Sequence, residues 1–157
     1  PDVMAIAKGI GGGFPLGAVM TTKAVGTAMQ PGTHGSTYGG NPLACAVGNA
    51  VMQEVESDGF LTNVQDSAVY FRQHLARLMN ENSDIFADVR GRGLMVGMQC
   101  KMSNSDVVAA LRDEKLLTVG AGDNVLRILP PLNVTRSEID LAIKALEAAC
   151  AKLRLGA

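Results

Sequence analysis

The sequence has no tryptophan, and aromatic residues make up only 4% of it. Recognition of nucleic acid by stacking bases on aromatic rings is therefore poorly supplied. Charge of one sign is also missing. A net charge of −1 gives no electrostatic basis for binding nucleic acid or an anionic membrane. Cysteine is scarce: Cys45, Cys100 and Cys150 are odd in number and far apart, which fits neither a disulfide framework nor a metal-ligand spacing. They read as reduced, partly buried thiols of a cytoplasmic protein. No apolar run reaches the length of a membrane span, and no signal-peptide pattern opens the chain. What remains is a globular composition. Apolar residues reach 47% and charged residues 18%, and 157 residues are enough to bury a core. Residue 1 is Pro, followed at once by a strand-like run, so the sequence reads as a chain whose N-terminal part is missing or removed.

Glycine is abundant, at 18 residues, and concentrated in two loops. The first follows the apolar run Val3-Met4-Ala5-Ile6-Ala7, which reads as a fully buried strand. Lys8 ends that run and leads into Gly9-Ile10-Gly11-Gly12-Gly13-Phe14-Pro15-Leu16-Gly17. Ala18–Thr22 reads as a second strand and residues 23–29 as a short helix stopped by Pro31-Gly32. The second loop is Thr33-His34-Gly35-Ser36-Thr37-Tyr38-Gly39-Gly40-Asn41. Asn41 is placed to cap a helix that has Pro42 at its first position and ends near Glu56.

An amphipathic helix follows, with Leu61, Val64, Ala68, Phe71, Leu75 and Leu78 on one stripe. Strands are expected over Phe86–Arg90 and Leu94–Cys100, on either side of a Gly91-Arg92-Gly93 turn. A helix over Ser105–Glu114 comes next, then strands at Leu116–Val119 and Val125–Leu129 around a turn at 120–124. Thr135-x-x-Glu138 is a capping box. It opens a last helix whose core face is Ile139, Ala142, Ile143, Leu146, Ala149 and Leu153. The expected organisation is α/β. Residues 1–60 read as the end of an α/β sheet domain, and residues 61–157 as a small α+β domain.

Four residues stand out chemically. A lysine at a strand end, where ligands of α/β sheets bind, is a candidate covalent anchor for a carbonyl cofactor once its environment lowers its pKa. A lysine simply reaching solvent has the same local pattern. The first loop lacks the spacing of a Walker A or dinucleotide fingerprint. In the second loop the hydroxyls of Ser36 and Thr37, with backbone N–H groups of neighbouring glycines, are suited to a phosphate. His34 is a lone loop histidine, more often structural than catalytic. Arg127 is a charged residue inside an apolar strand, which calls for a partner or an exposed face. A carboxylate ligand matches its planar fork.

Ala7-Lys8-Gly9-x-Gly11-Gly12-Gly13-Phe14-Pro15-Leu16-Gly17-Ala18 resembles the cofactor-lysine segment of the class III (ornithine-type) aminotransferases, enzymes of PLP-dependent transferase fold type I. Residues 31–45, from Pro31-Gly32-Thr33-His34 to Leu43-Ala44-Cys45, resemble the phosphate-loop segment of the same family. Arg90-Gly91-x-Gly93-Leu94 and Leu126-Arg127-Ile128-Leu129-Pro130-Pro131-Leu132 match two further stretches in order. The resemblance implies pyridoxal 5'-phosphate held by Lys8, and Thr37 on the cofactor phosphate of the neighbouring subunit. It also implies Ser36 on an acylated substrate and Arg127 on a substrate carboxylate. No metal is implied. The partners implied are amino-acid and 2-oxo-acid substrates and a second subunit of a homodimer. The His34–Asn41 version points to N2-acetylornithine as amino donor and 2-oxoglutarate as acceptor. Ornithine, succinylornithine, succinyldiaminopimelate and 4-aminobutyrate are the other donors within the class. The family further needs a glycine-threonine loop, a stacked aromatic ring, an aspartate on the pyridine nitrogen and another arginine. All of these lie upstream of the lysine, so the 157 residues by themselves are expected to be inactive.

Overall fold

The structure, a computed structural model, describes residues 1–155 and divides into two compact units, Pro1–Phe60 and Leu61–Ala157.

In the first unit, β1 (Val3–Ile6) pairs antiparallel with β2 (Ala18–Thr21), with Ile6 opposite Ala18. The connection between them is wound into successive turns. A 3-10 turn spans Lys8–Gly11, Gly12 N–H donates to the Gly9 carbonyl at 3.1 Å, and Phe14 N–H donates to the Gly11 carbonyl at 2.8 Å. Gly12 takes φ +54°, which is cheap only for glycine. The short helix α1 (Lys23–Gly26) follows, then α2 (Pro42–Val55). The helix start is as read from sequence: Ala44 N–H donates to Asn41 Oδ1 at 2.9 Å, with Pro42 in the first turn. α2 lies close on the glycine loop. A Cβ at Gly48 would sit 2.9 Å from Leu16 Cδ2, and one at Gly12 3.0 Å from Val51 Cγ2.

β1 corrects the sequence reading. The strand is there, but it is not buried: Val3 is 51% exposed, and Val19 on the paired strand β2 is 66% exposed. An uninterrupted apolar run marks a strand built to be covered on both faces. This two-stranded ribbon leaves those faces open.

The second unit holds the core. α3 (Phe60–Glu81) buries Ala68, Phe71, Leu75 and Leu78, while Leu61 at its start stays exposed. A four-stranded antiparallel sheet has the order β3-β4-β6-β5, formed by β3 (Phe86–Arg92), β4 (Met95–Cys100), β5 (Val119–Ala121) and β6 (Val125–Ile128). α4 (Asn104–Asp113) and α5 (Arg136–Leu155) complete it. The side chains of Val96, Met98, Leu126 and Ile128 join Phe71, Leu75, Leu78, Leu111, Ile139 and Leu146 in one core. The capping box at α5 is present: Glu138 N–H donates to Thr135 Oγ1 at 3.3 Å, and Thr135 N–H donates to Glu138 Oε2 at 2.8 Å.

Two boundaries differ from the sequence reading. Gly91 is not in a turn. β3 runs on through it to Arg92, which faces Met95, so the turn is Gly93-Leu94, with glycine at its first position. The third strand of the sheet in sequence order overlaps the expected Leu116–Val119 only at Val119, where it begins. Lys115 takes φ +66° and Leu116 N–H returns to the Leu111 carbonyl at 2.9 Å, so Leu116 belongs to the exit of α4. Ala121 then pairs with Val125 across the loop Gly122-Asp123-Asn124, whose last two residues are left-handed. Asn124 also donates to the carbonyls of Cys100 and Met102, fastening the hairpin to the start of α4.

Candidate functional site

Lys8 follows an extended Ala7 at the end of β1 and has φ +58°. A non-glycine residue in this region is uncommon, and it is held there by the turns that follow. The side chain is exposed, and among the described residues it makes no ion pair. A strand end therefore presents a fixed, unpaired primary amine beside glycines that add no side chain of their own.

The second loop is also fixed locally. Gly39 N–H donates to the Ser36 carbonyl at 3.2 Å, and Asn41 donates to the Tyr38 carbonyl through both its backbone N–H and its Nδ2. Ser36 and Thr37 are exposed in this turn, shortly before α2 begins at Pro42. Their hydroxyls have no hydrogen-bond partner among the described residues. Free hydroxyl donors close to the positive end of a 14-residue helix suit an anionic oxygen group. Tyr38 is 82% exposed. His34 is exposed and has no hydrogen-bond or ion-pair partner among the described residues.

Arg127 lies in β6, between buried Leu126 and Ile128, and points away from the core. It is not at an edge, because β6 pairs with β4 on one side and β5 on the other. Its opposite residues are Gly97 and Val119. Lys8, Ser36 and Thr37 belong to the first unit and Arg127 to the second. A cavity of about 540 Å³ beside α3 is lined by Ala68, Val69, Arg72 and Arg92, and by none of these four residues.

The donor set fits one cofactor chemistry: an unpaired amine for a carbonyl and free hydroxyls for a phosphate. No cluster of metal-ligating side chains occurs among the described residues. Two of the three thiols are buried and poor nucleophiles. Burial pushes Cys150 up to about 11 and raises Cys100. The profile of the family described as Aminotransferase class-III matches residues 1–150.

The chain belongs to the class III aminotransferases.

Class III aminotransferases are PLP-dependent, which agrees with that donor set. The chain is 51% identical over 155 residues to the acetylornithine aminotransferase of Brucella melitensis, covering 99% of the chain and 38% of the relative. It is 55% identical over 148 residues to that of Mesorhizobium japonicum, covering 94% of the chain and 37% of the relative. The N-acetylornithine aminotransferase of Stenotrophomonas maltophilia superposes with a TM-score of 0.87 at 34% identity, over 100% of the chain and 41% of that structure. The ornithine aminotransferase of Toxoplasma gondii gives 0.89 at 29% identity, over 99% and 38%. The class III chain thus spans well under half the length of these relatives, and its fold is the corresponding part of theirs.

One cluster was missed in the sequence. Tyr70 donates to Asp140 Oδ1 at 2.6 Å, its ring meets His74 edge-on at 4.5 Å, and Arg136 lies 5.0 Å from the ring centroid. It links α3 to α5. The two four-residue steps, Tyr70 to His74 and Arg136 to Asp140, were the available signal.

Proposed function

We propose that these residues contribute the lysine anchor, part of the phosphate site and a carboxylate site to a PLP-dependent transaminase acting on N2-acetylornithine and 2-oxoglutarate. The products are N-acetylglutamate semialdehyde and glutamate, as in arginine biosynthesis in the cytoplasm. The observation that carries this reading is Lys8, an exposed unpaired amine held at φ +58° on a strand end. Support for the substrate comes from relatives about half identical to the chain that are acetylornithine aminotransferases.

When bound, the cofactor supplies a carbonyl for a primary amine and an electron sink that acidifies the donor's Cα–H. Lys8 Nζ is the anchor. Once the donor amine takes its place, Nζ is the base that removes the Cα proton and the acid that returns it. The Thr37 hydroxyl holds the phosphate in the partner subunit's site, and Ser36 contacts the acyl group of the donor. Arg127 takes a substrate carboxylate through its fork. One homodimer therefore has two sites, each drawing on both subunits. Residues 1–60 are the end of the PLP-binding domain and residues 61–157 the small C-terminal domain.

Because the chain spans 38% of the Brucella relative, the 157 residues alone are expected to turn over little or no substrate. Borohydride reduction with PLP followed by peptide mass analysis tests the anchor directly. The phosphopyridoxyl label is expected on Lys8 and absent in Lys8→Ala. A label spread over surface lysines, or transaminase turnover matching that of a full-length relative, overturns the reading. A second reading, a folded module without chemistry, is favoured by the open ribbon of the first unit and predicts no label at Lys8.

A further inference from the structure

Lys8 holds a backbone conformation that few side chains adopt, with φ +58°. Such a residue stays in place only where its surroundings over-determine it. The turn that Lys8 opens supplies part of the restraint, but loosely at the lysine end. The bond from Ile10 N–H to the Ala7 carbonyl is long at 3.5 Å, against 2.8 Å from Phe14 N–H to the Gly11 carbonyl farther along. Side-chain packing has to supply the rest.

Leu16 is in place to do so. It lies near the far end of the same loop, which closes where Ile6 pairs with Ala18. Its neighbour Gly17 lies against the strand end: a Cβ there would stand 3.4 Å from the Ile6 carbonyl oxygen and 3.9 Å from Ala7 Cβ. Leu16 itself meets two glycines. A Cβ on Gly11, the last residue of the Lys8 turn, would sit 3.2 Å from Leu16 Cβ and 3.5 Å from its backbone nitrogen. A Cβ on Gly48, in the middle of α2, would sit 2.9 Å from Leu16 Cδ2. Gly11 and Gly48 are buried, and Leu16 is partly buried. The side chain thus spans from the lysine turn to the helix, its base on one glycine and its tip on the other. In packing this close, one methyl too many or too few is felt.

We propose that Leu16 is a positioning residue for the lysine: it pins the Lys8–Gly11 turn to α2, and so fixes the backbone from which Nζ reaches a carbonyl cofactor. It touches no reacting atom and acts through Gly11 and the turn. Its role toward the cofactor rests on the transaminase reading. The mechanical link from Leu16 to Lys8 does not.

The test follows borohydride labelling of Lys8 with PLP, together with the Lys8 amide signal in NMR spectra of the chain without cofactor. Leu16→Ala removes the span. It is expected to move the Lys8 amide signal and to slow labelling about tenfold, with the amides of β4 and β6 unchanged. Leu16→Met keeps the volume and is expected to label close to wild type. Gly48→Ala crowds the tip of Leu16 in the wild type and refills the space left by Leu16→Ala. The double variant is therefore expected to label faster than Leu16→Ala alone, a reversal that a general loss of stability does not give. Where Leu16→Ala loses the α2 amide signals and so unfolds the first unit, Leu16→Val carries the same comparison. Equal labelling in wild type and Leu16→Ala overturns the role of Leu16, as does a double variant slower than either single one. A wild-type chain left unlabelled at Lys8 overturns the transaminase reading instead. The Lys8 amide then still reads the link, and a signal indifferent to Leu16→Ala refutes it.

Discussion

At the residue scale the backbone makes demands that composition alone does not reveal. Gly91 is the sharpest case. It sits inside β3 at φ +135°, and a Cβ there would run into the Met95 carbonyl across the hairpin. The Arg72 guanidinium uses the same residue, donating to the Gly91 carbonyl at 2.5 Å. Gly91→Ala therefore combines strain with a clash and is expected to destabilise the second unit by about 2 kcal/mol. Urea unfolding followed by circular dichroism would read this, and an unchanged midpoint would refute it. The position was legible as a special glycine and misread as a turn, since its neighbour across the sheet is a tertiary fact. Lys8, Ser36 and Thr37 stood out as candidates because the patterns that single them out are short and local.

At the element scale the ends of helices were more legible than the ends of strands. Asn41 with Pro42, and Thr135 with Glu138, carry their partners within one turn of chain. β5 was misplaced because its limits are set by the left-handed pair Asp123-Asn124 and by the register of β6. The end of α5 is tied down by a contact no local pattern reveals: Arg154 bonds both carboxylate oxygens of Asp84, at 2.8 and 2.7 Å, and the Glu81 carbonyl at 3.0 Å. The hydrogen bond from Arg154 lowers the Asp84 carboxyl from 3.8 to about 2. A depressed carboxyl adds stability above its unfolded value and loses it as pH falls through its folded value. The gap in Tm between wild type and Arg154→Ala should hold from neutral pH to about pH 5 and then close toward about pH 2. A gap that stays constant down to about pH 2 would show that the ion pair contributes nothing.

At the scale of the whole molecule the two units differ in what they bury. Large apolar side chains, among them Phe71, Leu75, Leu78, Phe86, Leu126 and Leu146, are all but inaccessible in the second unit. Among the described residues the first unit buries only Gly11, Ala44 and Gly48, while Val3, Met4, Val19 and Met20 stand exposed on its ribbon. Burial of apolar area is the main source of stability, and local opening follows where it is thin. Native-state hydrogen exchange of the chain should show amides of β1, β2 and α2 exchanging faster than those of β4, β6 and α3. Greater protection in residues 1–60 than in 61–157 would contradict this. The exposed apolar edge of β1 is also a route to aggregation, and added salt should worsen it rather than relieve it.

The sequence by itself determined the family, the lysine-bearing strand end, the hydroxyl loop, the helix stripes and the caps. Each of these depends on residues within a turn or two of one another, where periodicity and local hydrogen bonding are decided. Only the tertiary structure decided that the apolar run at Val3–Ala7 lies open in this chain. It alone showed that β3 passes through Gly91, and that Arg127 stands opposite Gly97 within the sheet. Exposure and strand register depend on residues distant in the chain, and no local pattern encodes which of them will meet.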